Sequence, residues 1–435
     1  MLGLSRYQWT VLFAAWLGWG FDLFDFILFN YVAPNCVPTL LNLTIGSPEA
    51  KAATFYWTGV MTSVLLLGWA IGGVMFGKLA DRIGRTKTLL LTILIYSLGT
   101  ASCAFAPNIW ILMLCRFLSS LGIGGEWAAG VTVVAEVMPE KRRVEAAVLL
   151  CTAAPAGHFL ATCVNFAIAG VLLPESPEVS WRYIFMCGLI PAVVAAIVRL
   201  FVKEPEVWLK NAGKMAPPRI RELFNPENLP ATISGLLLAI TAIVTASTCS
   251  SFIPVIAAGL GQSVALERSL DATATQVLIE QWKTIASNCL NLGSLIGTLL
   301  TGLLAKLLGR KMMFSLYFFL SSAAILIIFG LSIPPEVQLY LFFFIGLSVF
   351  GIFGSFSYYL PELFPTRLRA TGSGFCYNAG RVVAAAGPFL VGYLASQKSS
   401  LSSASVTLFW VGFIPLLGLA AIPWTIETKG QVLAD

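Results

Sequence analysis

A few ionisable residues lie inside long apolar stretches of the sequence, where a charge is costly and therefore points to chemistry. The first stretch carries Asp22 and Asp25, and the fourth carries Arg116 and Glu126. An aspartate whose arginine partner is present in one state and absent in another would bind and release a proton near neutral pH. We therefore predict a proton-binding site at Asp22, Asp25 and Arg116. Glu126 either extends the proton path or pairs with groups at the helix end, and a permanent structural pair between one aspartate and Arg116 is the alternative.

Arg381, in the eleventh stretch, is predicted to be the only membrane-embedded charge of the second half of the chain. The carboxylate of a bound small molecule, held by both arms of the guanidinium, would neutralise it. Polar residues of the fifth, eighth and eleventh stretches complete a predicted substrate cavity, namely Tyr377, Asn378, Asn288, Asn291, Asn165 and His158. A lone histidine is more often hydrogen-bonded packing than a ligand, so His158 carries both interpretations.

Composition identifies the elements that must position these side chains. Hydrophobic residues make up 57% of the 435 residues, charged residues only 11%, and mean hydropathy is +0.84. A soluble domain carries about 25% charged residues, so this chain cannot cover a water-facing surface. Twelve apolar runs of membrane-spanning length predict an all-α membrane protein with twelve transmembrane helices. The runs are 9–34, 56–80, 87–106, 109–136, 144–173, 181–203, 230–260, 281–308, 311–333, 336–360, 370–396 and 403–426.

The distribution of basic residues predicts the orientation. With the N-terminus in the cytoplasm, most Lys and Arg residues fall on the inner side, and Lys51, Arg182, Arg268, Lys283 and Lys398 fall in outer loops or at outer helix ends. This asymmetry follows the positive-inside rule and predicts a cell (inner) membrane protein with both termini in the cytoplasm. The net charge of +6 is therefore a topology signal and not a nucleic-acid footprint. The nine cysteines are scattered, so we expect no metal site and no disulfide framework.

An internal repeat divides the chain into two halves. The segment Gly77-Lys-Leu-Ala-Asp-Arg-Ile-Gly84-Arg returns, with Gly, Ala, Gly and Arg in place, as Gly302-Leu-Leu-Ala-Lys-Leu-Leu-Gly309-Arg at a shift of 225 residues. Glu136-Val-Met-Pro returns as Glu362-Leu-Phe-Pro at a shift of 226. Two motifs at nearly one offset predict a duplicated six-helix unit. The halves are 1–203 and 230–435, and the Pro-rich, charged stretch 204–229 is the predicted cytoplasmic linker.

The repeated motifs also predict a cytoplasmic gate. Gly77 and Gly84 would allow a tight turn where helices approach closely. Asp81 would accept from the N-terminus of a neighbouring helix and so latch the halves together, whereas a plain turn with marker charges is the alternative. The predicted gate residues are Gly77, Asp81, Arg82, Gly84, Arg85, Glu136, Arg143, Glu362 and Arg369.

These motifs resemble those of a known family. The segment 77–87 resembles the signature loop of the major facilitator superfamily, and 116–127 resembles its fourth-helix motif. The Gly-Gly-Glu-Trp ending of the latter is similar to the metabolite–proton and sialate/lactate–proton symporter branches. Segments 204–208, 221–224 and 427–430 resemble pieces shared with those branches and with the sugar porters. The resemblance implies two pseudo-symmetric six-helix bundles, and it assigns proton coupling to a first-helix aspartate and the fourth-helix arginine, here Asp22, Asp25 and Arg116.

Together these observations predict proton-coupled symport of a small organic anion, a monocarboxylate-like metabolite, by alternating access. A symporter of a sugar or another neutral metabolite, and an uncoupled uniporter, remain as alternatives. The sequence contains no HExxH, GxSxG, P-loop or dinucleotide fingerprint, so we do not expect an enzyme. The expected partners are the lipid bilayer and the small-molecule substrate, with no nucleic acid. We expect a monomer that needs no cofactor beyond the coupled proton.

Overall fold

The computed structural model describes residues 4–138, 142–199, 219–365, 367–397 and 401–429. The described residues form twelve helical segments and no strand. The first half contains α1 (Arg6–Leu40), α2 (Pro48–Ile83), α3 (Arg85–Ser102), α4 (Ile109–Val137), α5 (Arg143–Cys151 continued by Ala153–Asn165) and α6 (Pro177–Met186 continued by Ile190–Arg199). The second half contains α7 (Leu229–Glu267), α8 (Ala272–Leu308), α9 (Arg310–Gly330), α10 (Pro335–Ile345 continued by Phe353–Glu362), α11 (Arg369–Ala384 continued by Ala386–Ser396) and α12 (Leu401–Val411 continued by Ile414–Ala421).

Ten described helices are long and apolar enough to cross a membrane, and a shorter apolar helix, Ile109–Gly125, belongs to α4. The predicted fold class, an all-α membrane protein with twelve helices, is therefore confirmed. Within the predicted linker, residues up to 218 lie outside the described part. The rest contains a short 3-10 helix, Ile220–Phe224, before α7 begins.

The beginning of α8 differs from the prediction. Asp271 caps the helix by accepting a hydrogen bond from the backbone N–H of Ala274 at 2.7 Å, so α8 begins at Ala272 and not near residue 281. At about 1.5 Å per residue, Lys283 then lies about 17 Å inside the helix. Its side chain is 1% exposed, and Glu280 on the same helix is 0% exposed. The prediction that placed Lys283 at an outer helix end is wrong.

The repeat positions Gly84 and Gly309 make equivalent turns. Gly84 has φ +111° and separates α2 from α3, and Gly309 has φ +90° and separates α8 from α9. Both angles lie in the left-handed region that favours glycine. Gly77, in contrast, lies inside α2, and a Cβ built there would meet no atom of the described residues within 4 Å. The predicted tight turn therefore lies at Gly84 and not at Gly77.

A close approach does occur at Gly124, where α4 packs on α2 backbone to backbone. A Cβ at Gly124 would collide with the carbonyl oxygen of Trp69 and lie 2.6 Å from the backbone nitrogen of Gly73. We expect Gly124→Val to force the two helices apart and to lower the melting temperature of the purified protein by about 5 °C or more. The matched control is Gly374→Val, because a Cβ at Gly374 meets nothing within 4 Å. Equal losses in the two variants would contradict this packing.

The segment 425–429 lies at the end of the bundle where α1 begins and α12 ends, which we call the tail end. The Glu427 carboxylate accepts hydrogen bonds from the backbone N–H groups of Arg310 at 2.9 Å and Lys311 at 3.0 Å, at the start of α9. It also accepts from the backbone N–H of Lys429 at 2.9 Å. A carboxylate in this position satisfies N–H groups that have no partner inside the helix.

The pH dependence of stability tests this cap. Burial alone would raise the pKa of Glu427, but the backbone N–H groups of Arg310, Lys311 and Lys429 outweigh it and hold the pKa below its ordinary value. A lowered pKa in the folded state stabilises the protein above the unfolded value and loses that effect as pH falls. We expect Glu427→Gln to lower the melting temperature by about 2 °C at pH 7, and we expect this difference to shrink as the pH falls below 4.5 through the lowered pKa of the folded state. Glu336→Gln, which removes an exposed ion pair with Arg268, is the control; a difference that persists unchanged below pH 4.5 would contradict the prediction.

Candidate functional site

Arg381 lies on α11 with 4% of its surface exposed. Its guanidinium stacks between the ring of Trp69 on α2, at 4.1 Å from the centroid, and the ring of Tyr377, at 4.3 Å. It donates a hydrogen bond to Oδ1 of Asn378 at 2.8 Å. Asp22 on α1 is close enough for its charge to act on Arg381. Arg381 therefore belongs to a site built from both halves.

The environment of Arg381 corrects one expectation. Arg381 was predicted to be the only membrane-embedded charge of the second half, but Glu280 and Lys283 are also buried there, at 0% and 1% exposure. A negative charge near Arg381 comes from Asp22 in the first half. The order of the charged residues along the chain does not show that Asp22 and Arg381 are close in the fold.

Arg116 binds the backbone of α1 and not a carboxylate. Its Nη1 donates to the carbonyl oxygen of Asp25 and its Nη2 to the carbonyl oxygen of Phe26, both at 2.9 Å, and its side chain is 0% exposed. Neither carboxylate oxygen of Asp25 makes a hydrogen bond of normal geometry within the described ranges, although the Thr100 hydroxyl and the charge of Arg116 are close. An ionised carboxylate without such bonds is costly to bury, so this position suits a group that changes its charge.

A buried ion pair on α8 was not identified from the sequence. Nζ of Lys283 lies 2.7 Å from Oε1 of Glu280, three residues away on the same helix. Asn35 of α1 donates to Oε1 of Glu280 at 3.2 Å, and Asn165 of α5 donates to Oε2 at 2.6 Å. The pair in the second half is therefore held by two side chains of the first half. Asn165, predicted to bind substrate, has its amide N–H occupied by Glu280.

The facing surfaces of α5 and α8 carry further polar side chains, which we call the α5–α8 wall: His158, Asn291, Ser287, Asn288 and Thr162. Thr162 donates to Oδ1 of Asn288 at 2.6 Å. Nε2 of His158, Nδ2 of Asn291 and Oγ of Ser287 are buried and have no hydrogen-bond partner among the described residues. The imidazole of His158 lies beside the amide of Asn291. The Tyr31 hydroxyl of α1 also lies beside Ser287 and Asn291, so these groups form one polar surface between the halves.

The α5–α8 wall and Arg381 lie at a similar depth. A Cβ at Gly157 would lie 3.1 Å from the backbone nitrogen of Phe24, so the neighbouring His158 is level with the Asp22–Asp25 turn of α1. Asp22 is in turn near Arg381. The helix α1 therefore lies between Arg381, which stacks on Trp69 of α2, and the α5–α8 wall.

A cavity of about 650 Å³ opens at the end of the bundle opposite the tail end, which we call the far end. Its lining comes from α1, α2, α7, α8 and the segment that begins α6, and it includes Lys51, Glu178 and Gln262. Asn35 and Gln276, which both donate hydrogen bonds to Glu280, also line it. The buried ion pair thus lies behind the cavity wall that Asn35 and Gln276 form.

Comparison with known proteins identifies the family. The sequence model described as Major Facilitator Superfamily matches residues 9–388. The chain belongs to the major facilitator superfamily. This major facilitator protein is 28% identical to the sialic acid transporter NanX of Escherichia coli K12, over 89% of this chain and 87% of the relative. It is also 28% identical to the cis,cis-muconate transport protein of Acinetobacter baylyi, over 91% of this chain and 90% of the relative.

Among solved structures, a D-xylose-proton symporter superposes with a TM-score of 0.75 at 17% identity, covering 98% of this chain and all of that one. At this identity the superposition concerns the fold alone. The predicted superfamily is confirmed, and this major facilitator protein is a transporter and not an enzyme.

The gate that the sequence predicts for this major facilitator protein is described only in part. The gate side chains of Asp81, Arg85, Glu136 and Arg143 lie outside the described residues, as does that of Glu126, which was predicted to take part in proton coupling. Arg82 is exposed, Nε of Arg369 donates to the carbonyl oxygen of Pro361 at 3.1 Å, and Glu362 pairs with Arg310 at 2.8 Å. A contact between the halves lies at the tail end, where Nζ of Lys306 is 3.0 Å from Oε1 of Glu145. The gating role of these residues stays a prediction.

One sequence signal could have identified the missed pair. Polar residues recur along α8 at spacings of four, three, four and four, which places them on one helix face. All are buried, and we call them the α8 polar stripe: Gln276, Glu280, Lys283, Ser287 and Asn291.

Proposed function

We propose that this transporter carries a small organic anion, of the monocarboxylate-like class, together with a proton by alternating access. The observation that carries the proposal is the buried guanidinium of Arg381, stacked between Trp69 and Tyr377 with the charge of Asp22 nearby. A guanidinium donates its N–H groups in its own plane while its faces stack on rings, and two of these groups can bind a carboxylate when it replaces a present partner. When Asp22 takes up a proton, Arg381 loses a negative neighbour and can hold the carboxylate of the cargo instead. Proton and anion would then bind together.

The roles of the individual residues follow from this scheme. The proposed proton-coupling residues are Asp22, Asp25, Arg116 and Glu126, and Arg116 acts by fixing the α1 backbone beside Asp25. The proposed substrate-binding residues are Arg381, Tyr377, Asn378, His158, Asn291, Asn288 and Asn165. The names of two relatives support an acidic cargo, because sialic acid and cis,cis-muconate both carry carboxylates.

The setting of the transporter is part of the same proposal. We propose halves at 1–203 and 230–435, a cytoplasmic linker at 204–229, and a monomer in the inner membrane with both termini in the cytoplasm. The basic residues of the sequence support this orientation. The lipid bilayer and the cargo are the proposed partners, without nucleic acid and with the proton as the only coupled ion.

A neutral metabolite such as a sugar is the second candidate cargo. The α5–α8 wall favours it, because His158, Asn291 and Ser287 offer uncharged polar atoms without partners in the described structure. Such atoms suit hydroxyl groups as well as the polar end of an acid. An uncoupled uniporter would bind its cargo at the same residues but would not need a proton on Asp22 or Asp25.

Uptake into liposomes tests the proposal. The purified protein is reconstituted, and radiolabelled lactate, benzoate, cis,cis-muconate, sialic acid and glucose are compared with and without an inward proton gradient. The proposal expects a carboxylate to be taken up faster with the gradient and to be displaced by other carboxylates. Gradient-independent uptake would favour the uniporter, and competition by glucose but by no carboxylate would favour the neutral cargo.

A further inference from the structure

Four N–H donors converge on the carboxylate of Glu280. Oε1 accepts from Nε2 of Gln276 at 3.0 Å, Nδ2 of Asn35 at 3.2 Å and Nζ of Lys283 at 2.7 Å, and Oε2 accepts from Nδ2 of Asn165 at 2.6 Å. Gln276 and Lys283 belong to the second half, whereas Asn35 and Asn165 belong to the first. We call these four donors the carboxylate cradle.

The carboxylate cradle is a built site in the interior of the bundle. Its members are 6%, 3%, 2% and 1% exposed for Gln276, Asn35, Asn165 and Lys283. A carboxylate that leaves water must be paired with a charge and hydrogen-bonded, and one cation with three amides meets both needs for any carboxylate. Well-packed apolar residues are often as stabilising as a buried ion pair, so stability alone does not account for this arrangement.

The carboxylate cradle lies between the far-end cavity and the α5–α8 wall. Asn35 and Gln276 line the far-end cavity on one side of Glu280. On the other side, one helical turn beyond Lys283, the buried Oγ of Ser287 has no partner in the described residues, and Asn291 follows beside His158. The α8 polar stripe therefore runs from the far-end cavity through the cradle to the α5–α8 wall.

We propose that the carboxylate cradle is a second carboxylate-binding site, which Glu280 fills while the two halves are in contact there and which the carboxylate of the cargo takes over during passage. This rests on the proposed function in that the cargo is an acid. Because each half supplies two of the four donors, the exchange takes place when the halves separate. Glu280 is tethered beside its donors, so its high effective concentration keeps the site closed and keeps cargo bound only weakly there.

The far-end cavity can receive the displaced Glu280 side chain. Its lining offers Lys51 as a counter-charge, although Glu175 and Glu178 also line it. Water in the opened cavity solvates the carboxylate, and Lys283 remains beside the cargo. The exchange replaces one carboxylate by another at the same ammonium, so no buried cation is left unpaired.

Emptying the cradle tests whether it accepts a free carboxylate. Glu280→Ala removes the tethered occupant and leaves all four donors, and formate is the probe. We expect 100 mM sodium formate, against sodium chloride of equal ionic strength, to raise the melting temperature of the detergent-purified variant by about 3 °C or more. The wild type and Glu280→Gln, whose cradles are filled by a side chain, should shift by less than about 1 °C. Glu336→Ala, which breaks an exposed ion pair, is the control for general salt effects.

The same comparison holds if Glu280→Ala is recovered only as aggregate in chloride. The readout is then the fraction recovered as monodisperse protein when formate replaces chloride throughout purification. A higher recovery in formate supports the site. Equal behaviour in the two salts overturns it.

Transport tests the role of the site in passage. Glu280→Gln/Lys283→Gln removes both charges without leaving one unpaired, and Arg268→Gln/Glu336→Gln is the matched exposed pair. We expect carboxylate uptake to fall about tenfold in the first double variant, with a melting temperature near that of the wild type, and to be unchanged in the second. Wild-type uptake in the first variant would mean a structural pair and would overturn the transit role. The formate experiment measures binding to the cradle without any cargo. A negative formate result therefore overturns the cradle alone, whereas the uptake of the Arg381 variants tests the proposed function.

Discussion

Uptake of the organic acid is expected to fall about a hundredfold when Arg381 is replaced by glutamine, because the cargo loses a bidentate, charge-assisted contact in a buried site. Arg381 is 4% exposed, so the lost contact lies in the interior of the bundle. The measurement is the initial rate of proton-driven uptake into liposomes that contain equal amounts of folded protein. Wild-type uptake in this variant would remove Arg381 from the binding site.

Two further variants separate charge from shape at this position. Arg381→Lys keeps the charge but loses the planar group that stacks between Trp69 and Tyr377, so we expect an intermediate rate. Arg268→Gln, which removes an exposed arginine, should transport at the wild-type rate. If lysine restores full uptake, the site needs only a positive charge, and the bidentate geometry is not required.

Replacing Asp25 with asparagine is expected to abolish accumulation driven by a proton gradient while exchange of labelled for unlabelled cargo continues. Neither carboxylate oxygen of Asp25 has a hydrogen-bond partner of normal geometry among the described residues, so the amide should fit without loss of stability. The variant cannot bind and release a proton, and accumulation should drop at least about tenfold. Exchange needs no net proton movement and reports that the cargo site is intact.

The control for this variant is Asp271→Asn, which changes an exposed aspartate at the start of α8. It should keep proton-driven accumulation. If Asp25→Asn also keeps it, Asp25 is structural, and Asp22 is left as the coupling carboxylate of α1. If Asp25→Asn loses exchange as well, its role is in cargo binding or in the fold.

The parts of the structure that the sequence predicts are those set by local chemistry. An apolar run of about 20 residues must be a helix in the bilayer wherever it packs, so the twelve spans could be read directly. Gly84 and Gly309 could be assigned to turns because a repeated glycine beside polar residues indicates a conformation that other residues avoid. The superfamily followed from the same short motifs.

The parts that were missed depend on which helix faces meet. Asp22 and Arg381 lie in different halves, and depth along a helix does not say that α1 turns Asp22 towards α11. Arg116 lies close to the Asp25 carboxylate, as expected, but its hydrogen bonds go to carbonyl oxygens, which every residue has and no sequence pattern marks. Glu280 and Lys283 lowered the hydropathy of the window that contains them, so the predicted run began after Glu280 although the helix begins at Ala272.

The dependence of α8 on partners from the first half also bears on how the protein is made. A glutamate and a lysine in one span each cost a few kcal/mol to insert, and their hydrogen-bond partners include Asn35, Asn165 and the carbonyl oxygen of Tyr31. During synthesis the first half leaves the ribosome earlier, so these partners are already in the membrane when α8 is inserted. In the second half produced alone, Glu280 would keep only Gln276 and Lys283 as partners, so the order of translation favours insertion of α8.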